Sequence, residues 1–502
     1  MTFDRRLFLG GSLATLLAAG AIAGLTGPVL AAARKDVIIG VRLEPPHLDP
    51  TAGAAAAIGE IVYANVFEGL TRVDRTGATK PALAESWTIS EDGKTYTFKL
   101  RAGVTFHDGA PFDATVAKYN LDRARAPDSV NPQKGVFAPI ETVEAVDPVT
   151  LKVTLKQPTG NFLFGLGWPA SVMLSPTSAA DAKTKPIGTG PMKFVNWAKG
   201  SSVELGKNDR YWGTPIKIEK AVFKVIGDAS ASFAALMAGD IDAYPLYPAP
   251  ETLDQFRADP RFKVVVGSTE GETIVALNNG RKPFDDVRVR RAVSHAVDRK
   301  LVIDGAMFGL AKPIGSHFAP QNAGYVDLTG KYPHDVAKAK ALLKEAGVAE
   351  GTKLRLVLPP PDYARRSGQI IAAQLKAVGL DVEIVPMEWA QWLSDVFKGK
   401  NFDMTIISHV EPLDLDIYAR DDYYFDYKSP AYRAIYAELA ATVDQEKRLS
   451  LYRKAQERIA EDAVNVFLFM LPKTGVWNAD LQGLWENAPI PANDLTEVSW
   501  KG

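Results

Sequence analysis

Between residues 353 and 408 short apolar runs alternate with amphipathic ones, and this alternation restricts the fold more than any other feature of the chain. KLRLVL (353–358) reads as a strand, and YARRSGQIIAAQLKAVG (363–379) as a helix stopped by Gly379. LDVEIVPM (380–387) is a strand, EWAQWLSDVFKG (388–399) a helix and FDMTIIS (402–408) a strand. A βαβαβ series of this kind builds a parallel sheet, because each helix must carry the chain back to the same edge. Ligands of such sheets sit beyond the carboxyl ends of the strands, which here means residues 359–366, 387–389 and 408–416. The third of these opens SHVEPLDLDIYARDDYYFDY (408–427), where carboxylates and tyrosines crowd together. Such a stretch either recognises a ligand or is a solvated face, and its place after a strand favours recognition in its first third. Asp421, Asp422, Tyr423, Tyr424 and Asp426 read as a surface turn and strand.

The first half has another rhythm. KTYTFKL puts Tyr96, Phe98 and Leu100 on one face, and LKVTL does the same with Leu151, Val153 and Leu155. DATVAKYNLDRA between them predicts a helix capped by Asp113. Residues 77–186 therefore read as a mixed α+β unit. At 502 residues the chain exceeds one core, so two or three subdomains are expected.

The first 33 residues are an address rather than part of the fold. Arg5 and Arg6 precede an uncharged run from Leu7, which ends in Ala31, Ala32 and Ala33. The twin arginine before Leu7-Phe8-Leu9 resembles a Tat signal, the route of proteins exported already folded. Asp4 stands where that signal has Ser or Thr, which leaves Sec export as the alternative. Cleavage is expected near Ala33. The absence of cysteine excludes disulfides and a lipidated N-terminal cysteine. After the signal no apolar run reaches membrane length, so the expectation is a soluble, exported, monomeric protein. The net charge of −1 argues against nucleic-acid binding.

Catalytic motifs are missing. His47, His107, His295, His317, His334 and His409 show no metal-ligand spacing, so no metal site is expected. DGKT (92–95) has Thr88 where a P-loop needs its leading glycine, and GTGPMK (188–193) lacks the third glycine of GxGxxG; both read as turns. No GxSxG elbow exists, and no cofactor is expected.

The ordered segments LDPTAGAAAAIGEIVYANVFEGLTRVD, PALAESWTISEDGKTYTFKLRAGVTFHDGAPFDATVAKYNLDR, PIGTGPMKFVNW, ALMAGDIDAY, PFDDVRVRRAVSHAVDRKLV and DVAKAKALLKEAG span nearly all of the mature chain. In them the sequence resembles the family 5 extracellular solute-binding proteins, the dipeptide, oligopeptide and nickel-binding group that serves bacterial ABC importers. The resemblance implies an α/β, bilobal Venus-flytrap fold with an extra domain. It implies domain I from 34–76, 187–262 and 472–502, domain II from 77–186 and domain III from 263–471. The chain would cross between lobes near 267–278 and again near Met470. DYARRSGQII aligns with the helix start whose arginine holds the substrate carboxylate in dipeptide binders, making Arg365 or Arg366 the counterpart. PMEW places Trp389 in the pocket wall.

Dipeptide binders continue with a GWxxD-like run whose aspartate accepts the peptide ammonium. Here His409 replaces the tryptophan and Pro412 falls on the aspartate, so Glu411 or Asp414 must supply the ammonium partner. The resemblance thus implies a periplasmic receptor that delivers a small polar solute (a peptide, modified amino acid or opine-like compound) to an inner-membrane ABC permease. An oligosaccharide or, through His409, a nickel chelate is the alternative ligand. From other classes, an exported hydrolase of peptides or glycosides is an alternative, for which facing carboxylates such as Glu411 and Asp414 would suit glycosidase work, and a holding chaperone is a third possibility.

Overall fold

A computed structural model describes residues 34–501; the expected signal and its cleavage point at Ala33 lie outside the described residues. Two long strands, Phe262–Leu277 and Asn465–Asn478, run antiparallel through the middle of one large sheet. Beyond the first lie, in order, Met404–His409, Thr352–Leu358 and Leu380–Pro386. Beyond the second lie Ala243–Tyr244, Asp36–Val41, Lys220–Val225, Ser202–Lys207 and Met192–Ala198. The two halves of the sheet carry separate hydrophobic cores, which gives the molecule two α/β lobes. Register slips between Ser268 and Glu272: Ser268 faces Pro472 and Glu272 faces Met470, leaving an irregular segment where the strands pass from one lobe to the other.

The three strands of the βαβαβ series are parallel neighbours, with Thr352–Leu358 between the other two. Gly379 ends the Asp362–Ala377 helix at a φ of +93°, a conformation that costs glycine little because it has no Cβ. The second helix differs from expectation. Only Trp389–Trp392 is α-helical, and Leu393–Lys398 widens into a π turn. That widening accompanies the tucking of Trp392 and Val396 into the lobe core while Leu393 stays exposed.

A separate antiparallel sheet in the order Ala84–Ile89, Thr95–Leu100, Thr150–Leu155, Ile140–Asp147 forms the mixed unit of the first half. Tyr96, Phe98, Leu100, Leu151, Val153 and Leu155 are all buried in its core, on the side that their alternation marks. Its helix, Ala114–Arg125, is capped by Asp113, whose side chain accepts from the N–H groups of Thr115 and Val116 at 2.8 and 3.0 Å.

Candidate functional site

The Met404–His409 strand ends at a cleft of about 770 Å³, within the size range of small-molecule sites. One wall is the segment from Ser408 to Tyr424, and the facing wall includes Gln133, Val136, Pro158 and Asn161 of the mixed unit. A second cavity, of about 540 Å³, shares Asn161, Pro412, Leu413, Arg448 and Tyr452 with it and extends past Glu270. The loop after the strand is shaped by Leu413 at a φ of +60° and by the 3-10 turn Leu415–Tyr418. Burying Leu415, Ile417 and Tyr418 turns the intervening Asp416 outward, toward the cleft.

His409, Glu411 and Asp414 all line the cleft. His409 is buried and pairs across the strands with Glu272. Its Nε2 lies 3.2 Å from the Tyr424 hydroxyl, and its ring stacks on Tyr424 at 6.1 Å. Burial, and next the neighbouring His317, push His409 down to about 4, so it is neutral at neutral pH. Asp414 accepts a hydrogen bond from His317 Nε2 at 2.8 Å. Burial alone would raise Asp414; the charge and hydrogen bond of His317, with a smaller contribution from His409, hold it below the usual carboxylate value. Glu272 is the opposite case. Burial first, then the charges of Asp414 and Glu270, raise it well above an ordinary glutamate. Glu270 is also raised by burial, although Asn322 and Gln321 donate to its two oxygens at 2.6 and 2.7 Å.

The structure places the other three candidates elsewhere. Arg365 reaches an oxygen of Glu388 at 3.4 Å, with both side chains exposed. Arg366 lies 3.9 Å from Asp362 and 5.1 Å from the Phe308 ring centre. Trp389 is 42 % exposed and meets Trp392 edge-on at 5.6 Å; Trp392, rather than Trp389, lines the cleft. None of the three joins His409, Glu411 and Asp414 at the wall of the cleft.

The later part of the 408–427 segment departs from the expected surface strand. Tyr424 is 1 % exposed, and Tyr423 and Tyr424 both line the cleft. Residues 419–429 form no strand. The neighbouring Asp421 and Asp422 make the segment look solvated, while Tyr424 finds its partners in Trp392, Phe397 and Phe402. Sequence reasoning also passes over Arg420 and Arg448. Arg420 pairs with Asp416 and sits 5.5 Å from the Tyr423 ring centre. Arg448 is buried, donates to the carbonyls of Leu439 and Thr442 at 3.1 and 3.0 Å and to the Tyr452 hydroxyl at 2.7 Å, and forms no ion pair among the described residues. An arginine inside an otherwise amphipathic helix gives no local signal of facing a cleft.

Two α/β lobes sharing a pair of through-running strands, with a cleft lined by carboxylates and arginines beside the crossing, define a bilobal binding protein. Comparisons with known proteins narrow this. A family model described as bacterial extracellular solute-binding proteins, family 5 middle, matches residues 78–429. A glutathione-binding protein, GsiB, of Salmonella paratyphi A is 34 % identical over 77 % of this chain and 75 % of its own. GsiB of Pectobacterium atrosepticum is 32 % identical over 90 % and 92 %. Among solved structures, DppA of Helicobacter pylori in complex with the peptide STSA superposes with a TM-score of 0.77 at 27 % identity, over 93 % of this chain and 98 % of that one. NikZ of Campylobacter jejuni in complex with Ni(L-His) gives 0.76 at 25 %, over 93 % and 99 %. The chain belongs to family 5 of the bacterial extracellular solute-binding proteins.

Proposed function

We propose that this protein is the substrate-binding component of an ABC importer, and that it captures a small solute bearing both ammonium and carboxylate groups. A peptide, modified amino acid or opine-like compound fits that description. The observation that carries the reading is the lining of the cleft. Glu411, Asp414 and Asp416 share a space of about 770 Å³ with Arg420 and the buried Arg448. A neutral sugar would leave Glu411 and Arg448, which form no ion pair among the described residues, without a charged partner once closure removed water, and that is costly. The relatives named for glutathione and the neighbour holding STSA point the same way.

In this reading Asp414, with Glu411 at the rim, accepts the ligand ammonium, and His409 forms part of the wall. Arg448 joins Arg365 or Arg366 as a candidate for the carboxylate, the latter pair and Trp389 acting only as the lobes close further. The binding energy stabilises the closed arrangement, a shift between conformations that requires no covalent chemistry and hence no enzyme activity. The lobes correspond to domain I (34–76, 187–262 and 472–502) and domain III (263–471), with domain II (77–186) adding the facing wall. The protein works as a monomer in the periplasm after removal of residues 1–33 and docks on an inner-membrane permease. No helix among the described residues is long and apolar enough to cross a membrane.

Mass spectrometry of small molecules released by denaturing the purified protein tests this directly. The expected result is about one equivalent of an ammonium- and carboxylate-bearing compound that rebinds in calorimetry. Recovery of a neutral sugar, or turnover of the compound by the protein, overturns the reading.

A further inference from the structure

Folding brings together three side chains of metal-ligating type that have no local spacing in the sequence. His317 stands in the loop after the short Lys312–Pro313 strand, His409 ends the Met404–His409 strand, and Asp414 follows in the turn. We propose that His317, His409 and Asp414 form a binding site for a divalent transition-metal ion of the zinc or nickel class at the wall of the cleft.

The geometry supports this in three ways. One candidate ligand atom from each residue lies within 4.8 Å of the others. His317 Nε2 is 2.8 Å from Asp414 Oδ1, and His409 Nδ1 is 3.6 Å from Asp414 Oδ2. An ion bound at about 2.0–2.2 Å from each would draw these atoms in by less than about 1 Å. The contact between His409 Nε2 and the Tyr424 hydroxyl leaves Nδ1 turned to Asp414, as an outer partner orients a metal-binding imidazole.

A purely structural hydrogen-bond network would satisfy more of these groups. His409 Nδ1 stands beyond hydrogen-bond distance from Asp414. Glu272 beside His409 also has a buried oxygen without a partner. Among the described residues no lysine or arginine forms an ion pair with the Asp414 carboxylate, whose charge a dication would offset.

The chemistry of the donors sets the class of ion. Two imidazoles and one carboxylate suit zinc, nickel, cobalt or copper rather than calcium or magnesium, which prefer oxygen shells. Because His409 and Asp414 line the cleft, a further coordination position faces it and is open to water or to a donor on a bound solute. The site shares Asp414 with the proposed ammonium acceptor, so with the ion bound Glu411 is the carboxylate left for that role, and metal binding is therefore tested with no peptide present.

The test uses untagged mature protein, treated with EDTA and dialysed, and titrated calorimetrically with Zn²⁺ and separately with Ni²⁺ in the absence of any peptide. The expected result is one equivalent of either ion, with a Kd below about 10 μM. His317→Gln and His409→Gln should each weaken binding at least about 30-fold, and Tyr424→Phe about 10-fold. Failure of both ions to bind below about 1 mM, or binding unchanged in the His317→Gln/His409→Gln double variant, overturns the proposal. If the variants do not fold, the visible spectrum of Co²⁺ added to the unmodified protein decides. Intense bands of a four- or five-coordinate nitrogen-bearing site sustain the proposal, and the weak spectrum of the hydrated ion refutes it.

Discussion

The backbone N–H of Gly160 donates to the carbonyl of Ala440 at 2.9 Å, a hydrogen bond that joins the mixed unit to the lobe carrying His409 and Asp414. No side chain fits at that junction. A Cβ on Gly160 would overlap both the Arg448 guanidinium and the carbonyl oxygen of Thr442, and the latter is fixed backbone. The contact therefore lets the two walls of the cleft approach as closely as they do.

Gly160→Val is accordingly expected to hold the walls apart without disturbing either core. Small-angle scattering should give a larger radius of gyration than the parent protein at saturating ligand, and calorimetry an affinity lower by at least about 10-fold, or 1.4 kcal/mol. Matching profiles and affinities would show that this contact plays no part in closure.

Arg448 is the strongest candidate for holding a ligand carboxylate, because it is buried at the cleft wall and among the described residues its hydrogen bonds go only to neutral oxygens. Arg448→Met should weaken binding of a carboxylate-bearing ligand by roughly 2–5 kcal/mol, at least about 30-fold. Arg365→Ala should cost less, since Arg365 is exposed and shares Glu388. The control is the ligand's amide analogue, which lacks the anion. If Arg448→Met weakens the analogue equally, Arg448 serves the helix end at Leu439 and Thr442 rather than the ligand.

Glu411 is exposed, and among the described residues its carboxylate accepts only from the N–H of Val410, at 3.2 Å. Exposure limits what it contributes. Glu411→Gln should reduce affinity for an ammonium-bearing ligand by at most about fivefold, near 1 kcal/mol, with the melting of the empty protein unchanged. A drop in melting with no change in affinity would mean that Glu411 shapes the loop instead.

His107 should make stability depend on pH. Gly188 N–H donates to its Nδ1 at 3.3 Å, which leaves Nε2–H to donate to the Gly190 carbonyl at 2.9 Å. A second ring proton would break the first of these bonds, and burial pushes the imidazole down to about 4. The unfolded chain takes up that proton near pH 6.5. The stability from neutral His107 is therefore complete above about pH 6.5 and is lost as pH falls through 4, on the order of 3 kcal/mol in all. Denaturant melts at pH 7, 5.5 and 4 should show a steeper decline for the parent than for His107→Gln. Parallel declines would assign the acid sensitivity to other groups.

Much of the mixed unit and of the sheet beside the site is legible in the sequence. Alternation marks Tyr96, Phe98 and Leu100 as core residues, and Asp113 occupies the cap position of its helix, because these are effects of near neighbours on period and hydrogen bonding. The three strands of the βαβαβ series and the cleft at the end of the third follow from the same local pattern and the geometry of parallel sheets. The site itself is less legible. His317 reaches Asp414 across 97 residues, and nothing around His317 distinguishes it from a loop histidine. Tyr424 sits among acidic residues that suggest solvent, yet it fills a space between Trp392, Phe397 and His409 that exists only once the chain is folded.

The sequence by itself determined the strands, the helices and the edge of the sheet where a ligand belongs, because periodicity, caps and turn residues act over a few positions. Only the tertiary structure decided which charges share the cleft. It set Arg365 and Arg366 outside the wall, brought Arg448 into it, and placed His317, His409 and Asp414 within reach of one ion. Burial and Coulomb interactions depend on distance in space, and chain separation does not encode that distance.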